Sequence, residues 1–352
     1  MTKIQFSIIA LITLGFLANS CSLTKPVKTG DMAYEFKQYA LAVELLEKEY
    51  NNARNDQIRA RKALYLANSY DMLEQYGEAL QWYDKADQLY NNENSAIELA
   101  YSLKRNERYA DAAKVFDDIF RNNNEFDYRR EAAFCREASK QMQEDYAFKV
   151  ESLSFNSQDA EYSPVYFESN FIIFSSDRDG STGRKVYKWN NSNYSDLFVS
   201  DLKGRQVYNF DALINSEHNE GTVAFSKDFQ EIFFTRCVST ENRDQHCKIF
   251  YSQRPNGFWL EPEALMFYDD RTNFAHPCLI ENDSVLIFTA KPKGSNNYDL
   301  YYSVKVDKGW IEASIMPENI NTAGDEKFPT SFGDTLYFSS DGHLGFGGLD
   351  VF

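Results

Sequence analysis

Histidine and cysteine are scarce in this chain of 352 residues, which contains four of the first and five of the second. No two cysteines form a CxxC pair, so the sequence indicates neither a metal site nor a cofactor. The GxSxG motif of hydrolases and the HExxH motif of metalloproteases are also missing. The sequence therefore predicts that the protein is not an enzyme, and it assigns no catalytic, cofactor-binding or metal-binding residue.

Basic residues are also fewer than acidic ones. The chain has 37 basic residues against 53 acidic ones, a formal net charge of −16. A nucleic-acid-binding protein needs clustered positive charge to neutralise phosphates, so the composition argues against a nucleic-acid partner. An anionic membrane surface would repel the chain as well. Any attachment to a membrane must therefore be covalent or hydrophobic.

The N-terminus offers such an attachment. The apolar run IQFSIIALITLGFLA follows Lys3, and it is too short for a confident transmembrane helix. It leads into LANSC, which resembles a bacterial lipoprotein signal. The resemblance implies a signal peptide over residues 1–20, lipid modification of Cys21 and a short linker over residues 21–29. Ser22 after the cysteine fits export to the outer membrane, and an ordinary cleaved signal with an incidental cysteine is the alternative.

Two of the other cysteines flank a short polar stretch. Cys237 and Cys247 lie on either side of VSTENRDQH, between the apolar runs EIFFTR and KIFYSQ. If these runs pair as a hairpin, the two sulfurs face each other and can form a disulfide outside the cytoplasm. Two free, half-buried thiols are the alternative. Cys135 and Cys278 stand among apolar residues and are expected in the core.

Residues 30–145 carry a repeat with helical spacing. The segments QYALAVELLEKEY, QYGEALQWYDKAD and RYADAAKVFDDIF align, and successive units are 37 and 33 residues apart, close to the period of tetratricopeptide repeats. Each unit has a tyrosine followed three residues later by an alanine, and we predict that these residues pack the repeat: Tyr39, Ala42, Tyr76, Ala79, Tyr109 and Ala112.

Small residues mark the close contacts of the predicted helix pairs. Gly30, Ala67 and Ala100 occupy the crowded position of each first helix, and a further helix over about 128–142 is expected to cap the stack. Such stacks bury a continuous core and present a concave face to a peptide or helix. A generic helical bundle is the alternative.

The amino-acid composition changes after residue 145, where Phe, Tyr, Ser and Asn become frequent and Asp-Gly turns appear. Four phrases with short alternating strands follow, and such a repeat near 50 residues is typical of propeller blades. Each phrase contributes a second-strand phenylalanine that is predicted to lie in the blade core: Phe174, Phe234, Phe288 and Phe338. A strand around residues 150–153 is expected to complete the last blade and close the ring.

The order of these segments resembles a known family. A lipobox cysteine, Tyr-x-x-Ala helical repeats and the phrases FSSDRDG and FSSDGHLGFGGLDVF are similar to the N-terminal part of Bacteroidetes OmpA-family lipoproteins of the PorE-like group. The resemblance implies an α + β multidomain protein: a tetratricopeptide solenoid over residues 30–145, then a TolB-like propeller over residues 146–352. We expect this propeller to be incomplete, with about four blades and a C-terminal truncation.

The same resemblance implies a function. Members of this group are associated with type IX secretion and gliding, so we expect a non-enzymatic scaffold on the periplasmic side of the outer membrane. Its partners would be subunits of a secretion or motility complex, and peptidoglycan would be bound only through a domain that is not in this sequence. One alternative is a surface or periplasmic lipoprotein that binds glycans or peptides. Another is the propeller gate of a hydrolase, which requires a catalytic domain after Phe352.

Overall fold

The structure is a computed structural model that describes residues 26–142, 149–238, 246–267, 272–307 and 309–352. Within these residues the chain forms a layer of helices followed by four antiparallel sheets. The predicted order of a helical-repeat solenoid and a propeller is confirmed. Cys21 and the apolar run before it lie outside the described residues. No described helix combines the length and the apolar character that a membrane span requires.

The described helices form antiparallel pairs, with one further helix at the end of the stack. Their bounds are α1 Gly30–Glu35, α2 Tyr39–Asn52, α3 Asp56–Met72, α4 Tyr76–Leu89, α5 Glu93–Arg105, α6 Tyr109–Asn123 and α7 Phe126–Gln141.

The turn inside each helix pair repeats in detail. Lys37, Glu74 and Glu107 occupy the same place in the three turns, and each has a left-handed backbone with φ of 54°, 59° and 58°. The next amide in each turn donates to a carbonyl five residues earlier, as in Gln38 N–H to Ala33 O at 2.9 Å. This is the hydrogen-bond pattern of a Schellman helix end. The repeat therefore extends from the core residues to the turn backbone.

The small residues lie where the sequence predicts close contact. A Cβ added to Gly30 would come within 2.5 Å of the Leu46 side chain. Ala67 and Ala100, at the matching positions, are fully buried. The repeat alanines are also fully buried, as are Leu46 and Phe116, whereas Tyr76 keeps 40% of its surface exposed. Tyr76 therefore packs less completely than Tyr39 and Tyr109, which are 6% and 5% exposed.

The sheets follow one another along the chain, and the first strands of consecutive sheets contact each other. The first sheet contains β1 Glu161–Phe167, β2 Phe171–Ser176, β3 Asp196–Asp201 and β4 Val207–Asn209. The second contains β5 Asn219–Phe225, β6 Glu231–Val238, β7 His246–Gln253 and β8 Glu263–Ala264. The third contains β9 Asn273–Ile280, β10 Val285–Lys291, β11 Asp299–Val306, β12 Gly309–Trp310 and β13 Ser314–Ile315. The fourth contains β14 Glu326–Phe332, β15 Thr335–Ser340 and β16 Asp350–Val351.

Consecutive sheets pack through their first strands, since β1 contacts β5, β5 contacts β9 and β9 contacts β14. This arrangement around one axis is that of propeller blades. The four predicted phenylalanines are all buried, with exposures of 2%, 0%, 0% and 9% in chain order. Phe233 and Phe274 are fully buried as well, so aromatic side chains dominate the core of the propeller.

The closing strand that the sequence predicts is not present. Residues 149–160 contain no strand, and Val150 is 95% exposed. The segment instead packs on the first sheet, where the Phe155 ring stacks on Phe174 at 5.0 Å and Ser154 Oγ donates to the Lys203 carbonyl at 3.2 Å. The prediction for residues 150–153 was therefore wrong, because Phe155 draws this segment onto the face of its own blade.

Candidate functional site

The helical layer is docked on the propeller at two separate points. The first is Trp189, which lies in the loop between β2 and β3. Its indole Nε1 donates to the Met72 carbonyl at 3.1 Å, at the end of α3, and its ring packs edge-on against Tyr39 at 4.8 Å. The carbonyl of Trp189 also accepts the Ala40 amide at 3.3 Å. One loop of the first sheet is thus fastened to α2 and α3.

The second docking point is Phe346, which lies in the loop before β16. Its ring packs edge-on against Phe134 at 5.3 Å and against Tyr109 at 6.2 Å. The neighbouring Gly347 has a φ of +139°, and a Cβ there would lie 3.1 Å from the Arg105 amide nitrogen. Glycine is therefore required at this point, because the loop backbone approaches the end of α5 closely. A loop of the fourth sheet is thus fastened to α5, α6 and α7.

These contacts assign a second role to two of the predicted packing residues. Tyr39 and Tyr109 are the first residues of α2 and α6. Their rings pack edge-on against Trp189 and Phe346 of the propeller, respectively. Sequence reasoning did not identify Trp189 or Phe346. The available signal was a single large aromatic residue in a polar or glycine-rich loop, within KWNNSN and HLGFGG.

The axis of the propeller has a repeated distortion. Each first strand has a bulge, and one residue in each bulge has a left-handed backbone: Ser163, Thr222, His276 and Phe328, with φ of 52°, 36°, 55° and 52°. Proline follows this residue in three of the strands. Non-glycine residues pay roughly 1–3 kcal/mol for such backbone strain, which is often found at functional sites. Bulges also redirect side chains, and here Thr222, His276 and Phe328 all border the axis.

Two cavities lie along the axis on either side of these residues. The cavity that we call the upper cavity has a volume of about 280 Å³ and is bordered by residues before the bulges, among them Tyr162, Glu220 and Asn219. The lower cavity has a volume of about 370 Å³ and is bordered by residues after the bulges, such as Val165, Ala224 and Leu279. Thr222, His276 and Phe328 border both and separate them.

Hydrogen bonds hold several of these side chains in place. The Tyr162 hydroxyl bonds Ser195 Oγ at 2.9 Å, and Ser195 Oγ donates to the Glu220 carbonyl at 3.0 Å. The hydroxyls of Thr222 and Thr235 bond each other at 2.6 Å. The ring of Tyr162 also lies against Gly221, where a Cβ would come within 3.2 Å of the tyrosine oxygen. The wall of the upper cavity between the first and second sheets is therefore well ordered.

His276 is held as a neutral imidazole. Burial, assisted by the charge of Lys327, lowers the pKa of His276 to about 3. Its Nδ1 lies 2.9 Å from Thr289 Oγ1, and its ring lies 4.0 Å from that of Phe328. The threonine is fully buried in β10, so a substrate cannot reach its hydroxyl. The distance between His276 and Thr289 is that of a catalytic base and its nucleophile, but the buried threonine serves only to orient the imidazole ring.

Glu220 is a buried carboxyl group that is paired with Arg236. Burial raises the pKa of Glu220 to about 7, against the opposing effects of Ser216 and Arg236. Arg236 Nε donates to its Oε1 at 2.6 Å, and Ser216 N–H donates to Oε2 at 2.9 Å. Glu161 and Glu326 occupy the same place in their sheets and accept from Ser157 and Thr322 in the same way. Because this arrangement recurs in three of the four blades, we interpret these carboxylates as structural.

The disulfide residues lie at the rim of the upper cavity. Cys237 and Cys247 face each other across β6 and β7 and are joined in a disulfide, and Cys237 borders the cavity. The other two described cysteines, Cys135 and Cys278, are buried thiols. Burial raises the pKa of the Cys135 thiol to about 11, which makes it a poor nucleophile. Within the described residues, no group of three or more histidine, cysteine or acidic side chains could hold a metal ion.

Comparison with known proteins adds little to these observations. No protein-family model matches the chain, and no curated protein matches it significantly. Similar solved structures include a thermostable family-43 glycoside hydrolase, with 12% identity, a TM-score of 0.39, and coverage of 54% of this chain and 70% of that one. A prolyl endopeptidase is 10% identical with a TM-score of 0.33, covering 52% of this chain and 25% of that one. An α-L-arabinofuranosidase from Lactobacillus brevis is 11% identical with a TM-score of 0.34, covering 53% and 66%. At this level of similarity no activity is transferred to the chain.

Proposed function

We propose that the protein is a non-enzymatic scaffold in which the helical repeats and the propeller act as one docking unit. The observation that supports this proposal is the two-point junction at Trp189 and Phe346. These residues belong to the first and fourth sheets, so the helical layer spans from one to the other. A partner that contacts both modules then meets surfaces that are already oriented, and it loses less conformational entropy on binding.

The second part of the proposal is a lipid anchor on Cys21 that holds the scaffold at the outer membrane, facing the periplasm. The net charge of −16 supports a covalent anchor, since the protein surface would otherwise be repelled by anionic lipids. The chain expressed with its own leader should incorporate a labelled fatty acid, and the Cys21→Ala variant should not. A Cys21→Ala protein that still carries the label would refute the anchor.

The partners that we propose are subunits of a type IX secretion or gliding complex, on the basis of the sequence resemblance described above. A contact with peptidoglycan would need a domain outside this sequence. The proposed contact surface on the helices is the face of the first helices, represented by Leu64 and Ile97, which occupy matching positions in α3 and α5 and are both half-buried.

Site-specific photo-crosslinking in cells tests this surface. A photoreactive residue at Leu64 or Ile97 should give a crosslinked product with the same subunit of a secretion or motility complex. Lys114 is the matched control, because it lies on the second helix of a pair with 75% of its side chain exposed. The scaffold proposal is rejected if the products at Leu64 and Ile97 are the same as those at Lys114. It is also rejected if neither position reaches a subunit of such a complex.

A further inference from the structure

The upper cavity has the features of a ligand site that the scaffold role does not use. All four sheets contribute to its wall through Tyr162, Glu220, His276 and Phe328. Three strained backbones, at Thr222, His276 and Phe328, form its floor. The chain therefore tolerates a repeated energetic cost at the one place where every blade meets, and a binding function would explain why that cost is maintained.

Several polar groups in this wall remain available. Asp177 is 8% exposed, and one of its carboxylate oxygens accepts the Ala160 amide at 2.8 Å. Its other oxygen has no hydrogen-bond partner in the part of the chain that the structure describes. Asn219 Oδ1 accepts the Ser195 amide at 2.9 Å, which leaves the Asn219 side-chain N–H groups without a described partner. Asn193, also in the wall, makes no side-chain hydrogen bond to any described residue.

Two aromatic rings border the same space. Tyr162 and Phe328 keep 38% and 39% of their surfaces exposed, although both lie at the centre of the propeller. Apolar ring faces next to amide and carboxylate groups suit a ligand that has both apolar faces and hydroxyl groups at its edge. The wall contains no lysine or arginine, so an anionic ligand would find no opposite charge there.

The size of the space limits the ligand. A volume of about 280 Å³ is slightly smaller than that of most small-molecule sites, which measure about 300–1,000 Å³. One six-membered sugar ring satisfies the conditions of size, lack of negative charge, apolar faces and peripheral hydroxyls. We propose that the upper cavity binds a single neutral pyranose unit, whose hydroxyls bond Asp177 and Asn219 and whose apolar face packs on Tyr162. This proposal stands independently of the scaffold role.

Saturation-transfer NMR and calorimetry on the full chain test the proposal with glucose, galactose and N-acetylglucosamine as probes, and with glucuronate as the anionic comparison. At least one neutral sugar should bind with a Kd of about 1 mM or lower, and glucuronate should bind at least about tenfold more weakly than its neutral counterpart. Asp177→Asn and Asn219→Ala should each weaken binding by about tenfold. Ser331→Ala, at the wall of the lower cavity, is the matched control and should leave the affinity unchanged.

Three results would overturn the proposal. The first is that none of the three neutral sugars binds. The second is that glucuronate binds as well as glucose. The third is that Asp177→Asn and Asn219→Ala, shown to be folded by their near-UV circular dichroism, bind the sugar as the unsubstituted protein does.

Discussion

Two of the linkers between blades contain a buried asparagine, and the effect of replacing one of them on stability can be worked out from its hydrogen bonds. Asn215 is 4% exposed, and its side chain binds both backbone groups of Leu197 in β3. Its Oδ1 accepts the Leu197 amide at 2.9 Å, and its Nδ2 donates to the Leu197 carbonyl at 3.0 Å. Asn321 binds Leu300 in the same way, at 2.8 and 3.1 Å. In these two linkers the asparagine therefore joins the linker to the third strand of the preceding blade.

Asn215→Ala should lower the free energy of unfolding by about 2–3 kcal/mol. Leu197 is fully buried, so its amide would lose its partner without gaining water, and an unsatisfied buried donor costs about 1–3 kcal/mol. The carbonyl of Leu197 keeps one bond, because it also accepts the Phe210 amide at 2.9 Å. Loss of the hydrogen bond from Asn215 to this carbonyl should therefore cost less, about 0.5–1.5 kcal/mol.

Urea unfolding followed by circular dichroism measures this difference, and Asn156→Ala is the matched control. Asn156 begins the same Asn-Ser sequence as Asn215 but is exposed, and its side chain has no partner among the described residues. Its replacement should change stability by less than about 0.5 kcal/mol. Equal destabilisation by the two variants, or a loss below about 1 kcal/mol for Asn215→Ala, would refute the reasoning.

Three further changes have definite expected outcomes. Cys237→Ser should lower the free energy of unfolding by about 2–3 kcal/mol, because the disulfide closes a short loop. If a reductant destabilises this variant as much as the unsubstituted protein, the disulfide is not the source of the stabilisation. Trp189→Ala should speed hydrogen exchange of the Ala40 amide, which donates to the Trp189 carbonyl, while the far-UV circular dichroism is kept. Unchanged exchange would mean that the indole does not hold the modules together. For Glu220, the folded pKa of about 7 lies above the unfolded value near 4.5, so the folded state holds more protons between these pH values and stability falls as pH rises through this window. Glu220→Gln should remove this part of the pH dependence, which denaturation curves at pH 5 and pH 7 measure. An equal change in the free energy of unfolding between the two pH values in both proteins would contradict this expectation.

The parts of the fold that repeat in sequence could be predicted from it. Tyr39 and Ala42 recur at helical spacing, and the core phenylalanines recur near 50 residues, because each repeat must bury the same face against its neighbour. Cys237 and Cys247 were predictable as a pair because two apolar runs flank a short polar stretch. The pairing depended on a local hairpin and needed no knowledge of the rest of the fold.

The features that depend on contacts between distant segments could not be predicted. The left-handed backbones of Thr222 and Phe328 arise where four strands converge, and neither residue type favours such a backbone. Trp189 and Phe346 stand in loops whose partners are more than 100 residues away in the chain, as in the contact of Trp189 with Met72. The segment at 150–153 was assigned to the last blade by its place in the repeat, but the stacking of Phe155 on Phe174 was not visible in that pattern.

The contacts at Trp189 and Phe346 should hold the helical repeats and the propeller as one oriented unit. Double electron–electron resonance between a spin label at Lys114 on α6 and one at Asn256, in the turn between β7 and β8, tests this, since the pair reports the distance between the two modules. One oriented unit gives a single narrow distance distribution, which should broaden when Trp189 and Phe346 are both replaced by alanine. A broad distribution in the unsubstituted protein, similar to that of the double variant, would contradict it.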